Sequence, residues 1–443
     1  MSKTPETTDG KAVPFRRLSR VAGLGGMAAK IAGGMAVNGA KQFASGARPS
    51  LTDLMMTPAN ARKVTAQLSN MRGAAMKIGQ MISMDSGDIL PKEFADILAQ
   101  LRSDAQHMPR AQLDQVLREQ WGEDWPARFM SFQYQPIAAA SIGQVQRADL
   151  PSGEKLAIKV QYPGVRESID SDVNNVAGLL KLTGLVPKDM DVSPIIEEGR
   201  RQLHEEADYL REAAYLELFG SLLSGDDDFE VPAYFPELST DRVLAMSYIE
   251  SLPIESLLSA PQETRNRVVR LLIELLLKEL FEFGAMQTDP NFANYRYNNR
   301  AQKLVLLDFG ASREVSKEIA FSYKQIMRAA LSGDIYASFD AAAHIGFISG
   351  DMPERFKSAI LDIIDTALEP LGVDADFDFG ENLLAAKMRD KAMRLAGERE
   401  LWHLPPPETV FIQRKIGGMY MLATRLRAQV NVRALMTKYV CGE

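Results

Sequence analysis

The chain has 443 residues, 46% of them apolar and 25% charged, which is the make-up of a folded globular protein with one or two substantial cores. A net charge of −7 argues against a nucleic-acid binder that works by neutralising phosphates. One cysteine (Cys441) excludes a disulfide framework, a zinc ribbon or a CxxC pair within the chain, and four scattered histidines argue against a His-rich metal site or a Ser/His/Asp triad.

Residues 1–13 are polar and expected to be disordered. Residues 11–52 carry seven Lys or Arg and no Asp or Glu, set among Gly, Ala, Met and Val. This pattern fits either an amphipathic segment drawn to anionic lipid or a flexible basic arm. Six glycines within 21–40 weaken any helix there, and Glu6 and Asp9 count against a transit peptide. No window supplies the roughly 18–20 apolar residues needed to span a bilayer. The nearest, VVRLLIELLLKELFEF (268–283), is broken by Glu274, Lys278 and Glu282 and has the period of a core helix.

From 58 to about 130 the period is helical. PKEFADILAQLR (91–102) and PRAQLDQVLREQWG (109–122) each open on proline at the expected first helical position. Near 131 the period changes, and SIGQVQRADL and EKLAIKVQY read as two strands joined by the turn PSGE. A helix is predicted over 192–222, then an acidic turn, GDDD (225–228), and a strand, RVLAMSYIE (242–250). A helix over 263–283, short strands around YRYN and KLVLLDFG, and helices punctuated by LPPP (404–407) complete the chain. The expectation is an α+β, bilobal chain: a basic N-terminal segment (1–52), a helical extension (53–130), a β-rich lobe (131–250) and a mostly helical lobe (251–443).

MQTDPNFANY (286–295) places Asp289 and Asn294 five residues apart in a turn after the long apolar helix. Asp308 follows at the end of an apolar strand, with Phe-Gly after it. This D-x4-N…strand-DFG arrangement suits phosphoryl transfer from Mg-ATP. Asp289 would position the attacking hydroxyl or water, while Asn294 and Asp308 would hold Mg²⁺. In LAIKVQ (156–161), Lys159 is either a solvent-facing residue of an alternating strand or the lysine that contacts the α- and β-phosphates. In HEEADYLREAAYLELF (204–219), Asp208 and Glu212 are i,i+4 on one predicted helix face. Like charges at that spacing repel, so the face is either solvated or set against a cation. Before the strand lysine, IAAASIGQVQRA (137–148) has three alanines (Ala138, Ala139, Ala140) and Ser141 where a kinase has a glycine-rich loop. Alanine strains a left-handed backbone by about 1–2 kcal/mol, so this loop should differ in shape.

Together these motifs resemble the UbiB/ADCK atypical kinase-like proteins, a family associated with ubiquinone (coenzyme Q) biosynthesis. The resemblance is carried by KIGQ (77–80) for the KxGQ signature, AAAS (138–141), Lys159, EADYLRE (206–212), QTDPNFAN (287–294) and DFG (308–310). It implies a protein-kinase-like fold whose helical KxGQ extension covers the nucleotide cleft, with Lys77 facing Glu206 and Asp208. Gln80 would share the Lys77 side of that helix, and Gly79 would permit close packing. It further implies ATP and Mg²⁺ as cofactors, Lys159 paired with Glu212, and Met246 on the strand beside adenine with the backbone of SYI (247–249) reading its edge.

The chain also departs from ordinary protein kinases. Gln287 and Thr288 stand where His-Arg would precede the catalytic Asp, and no APE-like segment follows DFG before a helical pattern. Conditional ATPase activity, or phosphorylation of a small or lipid-like molecule, fits better than a protein substrate. The expected partners are ATP and a quinone precursor or lipid, with peripheral membrane contact through 11–52, and a homodimer stays open. The expected location is cytoplasmic or on a membrane surface, and the mitochondrial matrix in a eukaryote. Two other readings remain: an ATP-binding scaffold without catalysis, and a small-molecule kinase of the aminoglycoside/choline type, which leaves KxGQ, AAAS and ExD unexplained.

Overall fold

The computed structural model describes residues 73–75, 77–78, 107–183, 193–346, 353–381, 383–384, 386–388, 390–391 and 407–442. The basic segment 11–52, the predicted helix at 91–102, Gly79 and Gln80 lie outside these residues.

Helix α1 (Arg110–Trp121) starts after Pro109, which takes the N-cap rather than the first helical position. Strands β1 (Ser131–Phe132) and β2 (Ala138–Ala139) lead into the predicted hairpin of β3 (Gly143–Asp149) and β4 (Lys155–Gln161). Its register runs from Gly143↔Gln161 to Asp149↔Lys155. Gly153 in the turn has φ 99°, a left-handed conformation that only glycine adopts cheaply. Helix α2 (Val165–Thr183) is not among the expected elements; buried Ile169, Val173 and Val176 give it a helical stripe that paired asparagines dilute.

The helix expected over 192–222 is in fact two, α3 (Ser193–Glu206) and α4 (Tyr209–Leu222). Asp208 Oδ1 accepts the Arg211 N–H at 3.1 Å, an N-cap contact that starts a new helix. Asp208 still stands one turn before Glu212, whose N–H donates to the Asp208 carbonyl at 3.0 Å, but as the cap of α4 it turns its side chain to the Arg211 N–H. After α4 come β5 (Phe229–Glu230), β6 (Val243–Ser247), β7 (Leu252–Pro253), α5 (Gln262–Lys278), β8 (Ala285–Gln287), β9 (Tyr295–Asn298), β10 (Lys303–Leu306) and β11 (Ser312–Glu314). The rest are α6 (Lys317–Ser332), α7 (Ile335–His344), α8 (Glu354–Ala367), β12 (Phe377–Asp378), α9 (Pro407–Arg425), β13 (Gln429–Val430) and α10 (Val432–Cys441).

The chain divides into two units. The first comprises Met1–Ala214 and Ala233–Tyr248. Its sheet has the order β1-β3-β4-β6, with β2 on β3. Leu156, Ile158 and Val160 point to one face and join Trp121, Trp125, Phe129 and Val243 in one core. The Trp121 indole donates to the Leu238 carbonyl at 3.1 Å, so residues 107–130 and the sheet bury a common interior. The opposite face of β4 carries Lys159 and Gln161, as strand alternation requires.

The second unit comprises Tyr215–Pro232 and Ile249–Glu443. Residues 215–232 group here rather than with the β-rich lobe because β5 pairs in parallel with β10, Phe229 opposite Leu304. Its main sheet has the order β5-β10-β9-β7, and β8 pairs with β11. Helix α5 ends sooner than expected, widening into a π-helical turn over Glu279–Phe283 that closes at Gly284, φ 63°. β11 intervenes between DFG and α6, where the sequence suggested a direct run into helix; three-residue strands leave no readable alternation.

Candidate active site

In the first unit, Lys159 is 6% exposed, and its Nζ donates to both carboxylate oxygens of Glu212 at 2.8 Å each. That removes the solvent-facing alternative. The ammonium also lies 5.2 Å from the centre of the Tyr209 ring. Lys77, equally buried, meets one oxygen of Glu206 at 2.5 Å, and the other oxygen accepts the Ser141 hydroxyl at 2.5 Å. A single carboxylate thus joins the KxGQ lysine to the last residue of AAAS.

Gly73 packs against that same loop: a Cβ on it would stand 3.1 Å from the Ser141 carbonyl oxygen. The loop is closed by Ala140 N–H to the Gly143 carbonyl (2.9 Å) and Ile137 N–H to that of Val145 (2.8 Å), with Ala138 and Ala139 exposed in β2. Asp208, expected beside Lys77, contributes the α4 cap. Met246 is buried in β6 opposite Ala157. The N–H groups of Ser247 and Tyr248 donate to the Ala233 and Lys155 carbonyls, so neither is available to adenine.

In the second unit, the β9–β10 ladder ends at Tyr295↔Leu306 and is prolonged by Leu307 N–H to the Asn294 carbonyl at 3.1 Å. Asn294 and Asp308 therefore both lie just past the end of one strand pair, Asn294 opposite Leu307 and Asp308 one residue further on. Asn294 Nδ2 donates to the Asp289 carbonyl at 3.2 Å, which turns Oδ1 the other way. Asp289 Oδ1 accepts the Asn291 N–H at 3.3 Å, and Asp308 Oδ1 accepts that of Gly310 at 3.0 Å. One amide oxygen and two carboxylates are the hard donors that a divalent cation keeping several waters takes. Thr288 clamps the turn to the segment after DFG: its N–H and hydroxyl both reach the Ala311 carbonyl, at 3.2 and 2.6 Å. Phe309 of DFG is buried against Phe219, with ring centres 5.0 Å apart.

Sequence reasoning missed the group beneath this turn. Lys415 and Glu279 are both fully buried, 2.9 Å apart. Burial pushes the Glu279 carboxyl up and the Lys415 ammonium down, each partly offset by its partner. The Tyr295 phenol is driven well above its ordinary value, first by burial and then by the charges of Glu279, Asp289 and Asp308. The available signal was a lysine on the apolar face of α9, flanked by buried Ile412 and Met419.

Residues 100–339 match the ABC1 atypical kinase-like domain. The chain belongs to this family. Its members include Atypical kinase COQ8, mitochondrial, of Saccharomyces cerevisiae, 38% identical over 432 residues, which cover 97% of this chain and 86% of that protein. Atypical kinase COQ8B, mitochondrial, of Rattus norvegicus is 36% identical over 96% of this chain and 80% of its own length. Both alignments are long enough to take in Lys77 and Lys415, which the family domain match does not reach. The Rv3197–erythromycin complex of Mycobacterium tuberculosis superposes with a TM-score of 0.58 at 24% identity, covering 86% of this chain and 95% of that one, and shares the fold. The α+β, protein-kinase-like architecture expected of this ABC1-family chain is the one it has.

Proposed function

We propose that this ABC1-family chain is an Mg-ATP-dependent atypical kinase or ATPase that supports ubiquinone biosynthesis and does not phosphorylate proteins in trans. The Lys159–Glu212 pair carries the reading. A buried ammonium held by both oxygens of one carboxylate is costly to assemble, and it matches what alignment of nucleotide phosphates requires. In this reading Asp289 orients the attacking hydroxyl or water, and Asn294 with Asp308 holds the metal. Lys77 and Glu206 keep the extension over the AAAS loop. Bound Mg²⁺ would supply neutralisation of the charge that develops between the phosphates.

The small space between DFG and α6, only β11 and a short link, supports exclusion of a peptide substrate. Membership beside the COQ8 proteins supports the pathway. No helix among the described residues is long and apolar enough to cross a membrane. Contact with anionic lipid is assigned to residues 11–52, and the location to the cytoplasm or, in a eukaryote, the mitochondrial matrix. The test is ATP turnover by the purified chain, with and without quinone-precursor mimics or anionic liposomes, beside Asp289→Asn. Turnover that persists undiminished in Asp289→Asn rejects the catalytic assignment. Unchanged quinone content after gene deletion rejects the pathway.

A further inference from the structure

The segment QRKIGGMY (413–420) has no part in the site assembled so far, yet it supplies the most deeply buried ion pair among the described residues. Beside its ion pair with Glu279 at 2.9 Å, Lys415 Nζ donates to the Gln287 carbonyl and the Tyr295 hydroxyl, both at 2.7 Å, and to Gln287 Oε1 at 3.3 Å. The Tyr295 hydroxyl in turn donates to Gln287 Oε1 at 2.9 Å, and Glu279 accepts the Gln287 N–H at 3.2 Å. One buried ion pair therefore holds both backbone groups of Gln287.

Gln287 stands two residues before Asp289, and Tyr295 directly follows Asn294. The Lys415 ammonium thus ties together the two ends of the turn that carries both residues. One turn further along α9, Gly418 approaches Pro290 so closely that a Cβ there would sit 2.2 Å from the proline Cβ. Stability does not account for the pair. The interior opposes the ionised form of each partner, and well-packed apolar residues in such places are often as stable or more so.

We infer that Lys415 is a positioning residue for phosphoryl transfer, fixing both ends of the Asp289–Asn294 turn from α9 in a sequence that lacks His-Arg before the aspartate. This rests on the role proposed above for Asp289 and Asn294. Misplacing a reacting group by about 1 Å costs about a hundredfold in rate. The test uses the purified full chain and two variants, Lys415→Met/Glu279→Gln, which leaves no buried charge unpaired, and Tyr295→Phe, which keeps the ion pair and removes the hydroxyl's bonds to Lys415 and Gln287.

With cooperative melting retained, the double variant should lose about a hundredfold in kcat and Tyr295→Phe about tenfold, with Mg-ATP Kd within about threefold of the parent. Both should need more Mg²⁺ for half-maximal turnover, because Asn294 loses its fixed position. Turnover within threefold of the parent in either folded variant overturns the assignment. So does a loss of Mg-ATP affinity as large as the loss of kcat. Tyr295→Phe decides the matter if the double variant does not fold. A parent that shows no Mg-ATP turnover rejects the functional proposal first and this inference with it.

Discussion

Removing one partner of the Lys159–Glu212 pair tests the first unit directly. Side-chain exposures of 8% and 1% and two contacts of 2.8 Å place both charges out of water. Lys159→Met takes from Glu212, and Glu212→Met from Lys159, a buried partner held by two contacts of 2.8 Å, so each should cost about 3–5 kcal/mol. Lys159→Met/Glu212→Met removes both charges and fills similar volume, so its cost should fall far below the sum of the singles, a coupling of about 3 kcal/mol or more. Trp121 and Trp125 sit in the core of the same unit, so urea unfolding followed by tryptophan fluorescence reads the unit that holds the pair. If Mg-ATP binds as proposed, it should raise the parent's melting temperature, and the double variant should lose that shift, since ligand stabilisation scales with occupancy. Single variants that cost under about 1 kcal/mol each, with additive effects in the double, would refute the claim that water is excluded from the pair.

Other expectations follow from the same geometry. Lys77→Ala should alter nucleotide affinity and turnover together, because it releases Glu206 and through it Ser141; unchanged values in a binding titration and an ATPase assay would show that the extension does not cover the site. Gly418→Ala forces a methyl into Pro290, so it should destabilise by about 1–3 kcal/mol and lower kcat, read by melting and steady-state kinetics. The folded pKa of Tyr295 is raised, so its contribution to stability is intact below pH 10 and is lost as pH rises through that higher value. Above pH 10 the parent should therefore lose stability faster than Tyr295→Phe, by about 1.4 kcal/mol per pH unit, measured as urea midpoints across alkaline buffers.

Most of the fold was legible because it rests on local period: alternation gave β3 and β4, and the long apolar stripe gave α5. The candidate site was legible where chemistry is dense in sequence, as at 287–294 and 308–310. Other features were hidden for physical reasons. The break at Asp208 depends on a capping contact that competes with continuing helix, and periodicity on either side gives no warning of it. β8 and β11 are too short to alternate and exist because their partners are brought together from a distance. Lys415 lies far along the chain from Gln287, and only the packing of α9 shows that a lysine among apolar neighbours serves the turn. Of the two acids one turn apart at the start of α4, Glu212 meets the Lys159 ammonium and Asp208 caps the helix.

The ladder between β8 and β11, the Thr288 clamp on Ala311 and the burial of Phe309 against Phe219 hold the DFG phenylalanine inward by several independent ties. Turning Phe309 outward would give up its packing on Phe219, so the segment after Asp308 is held in one arrangement from both sides.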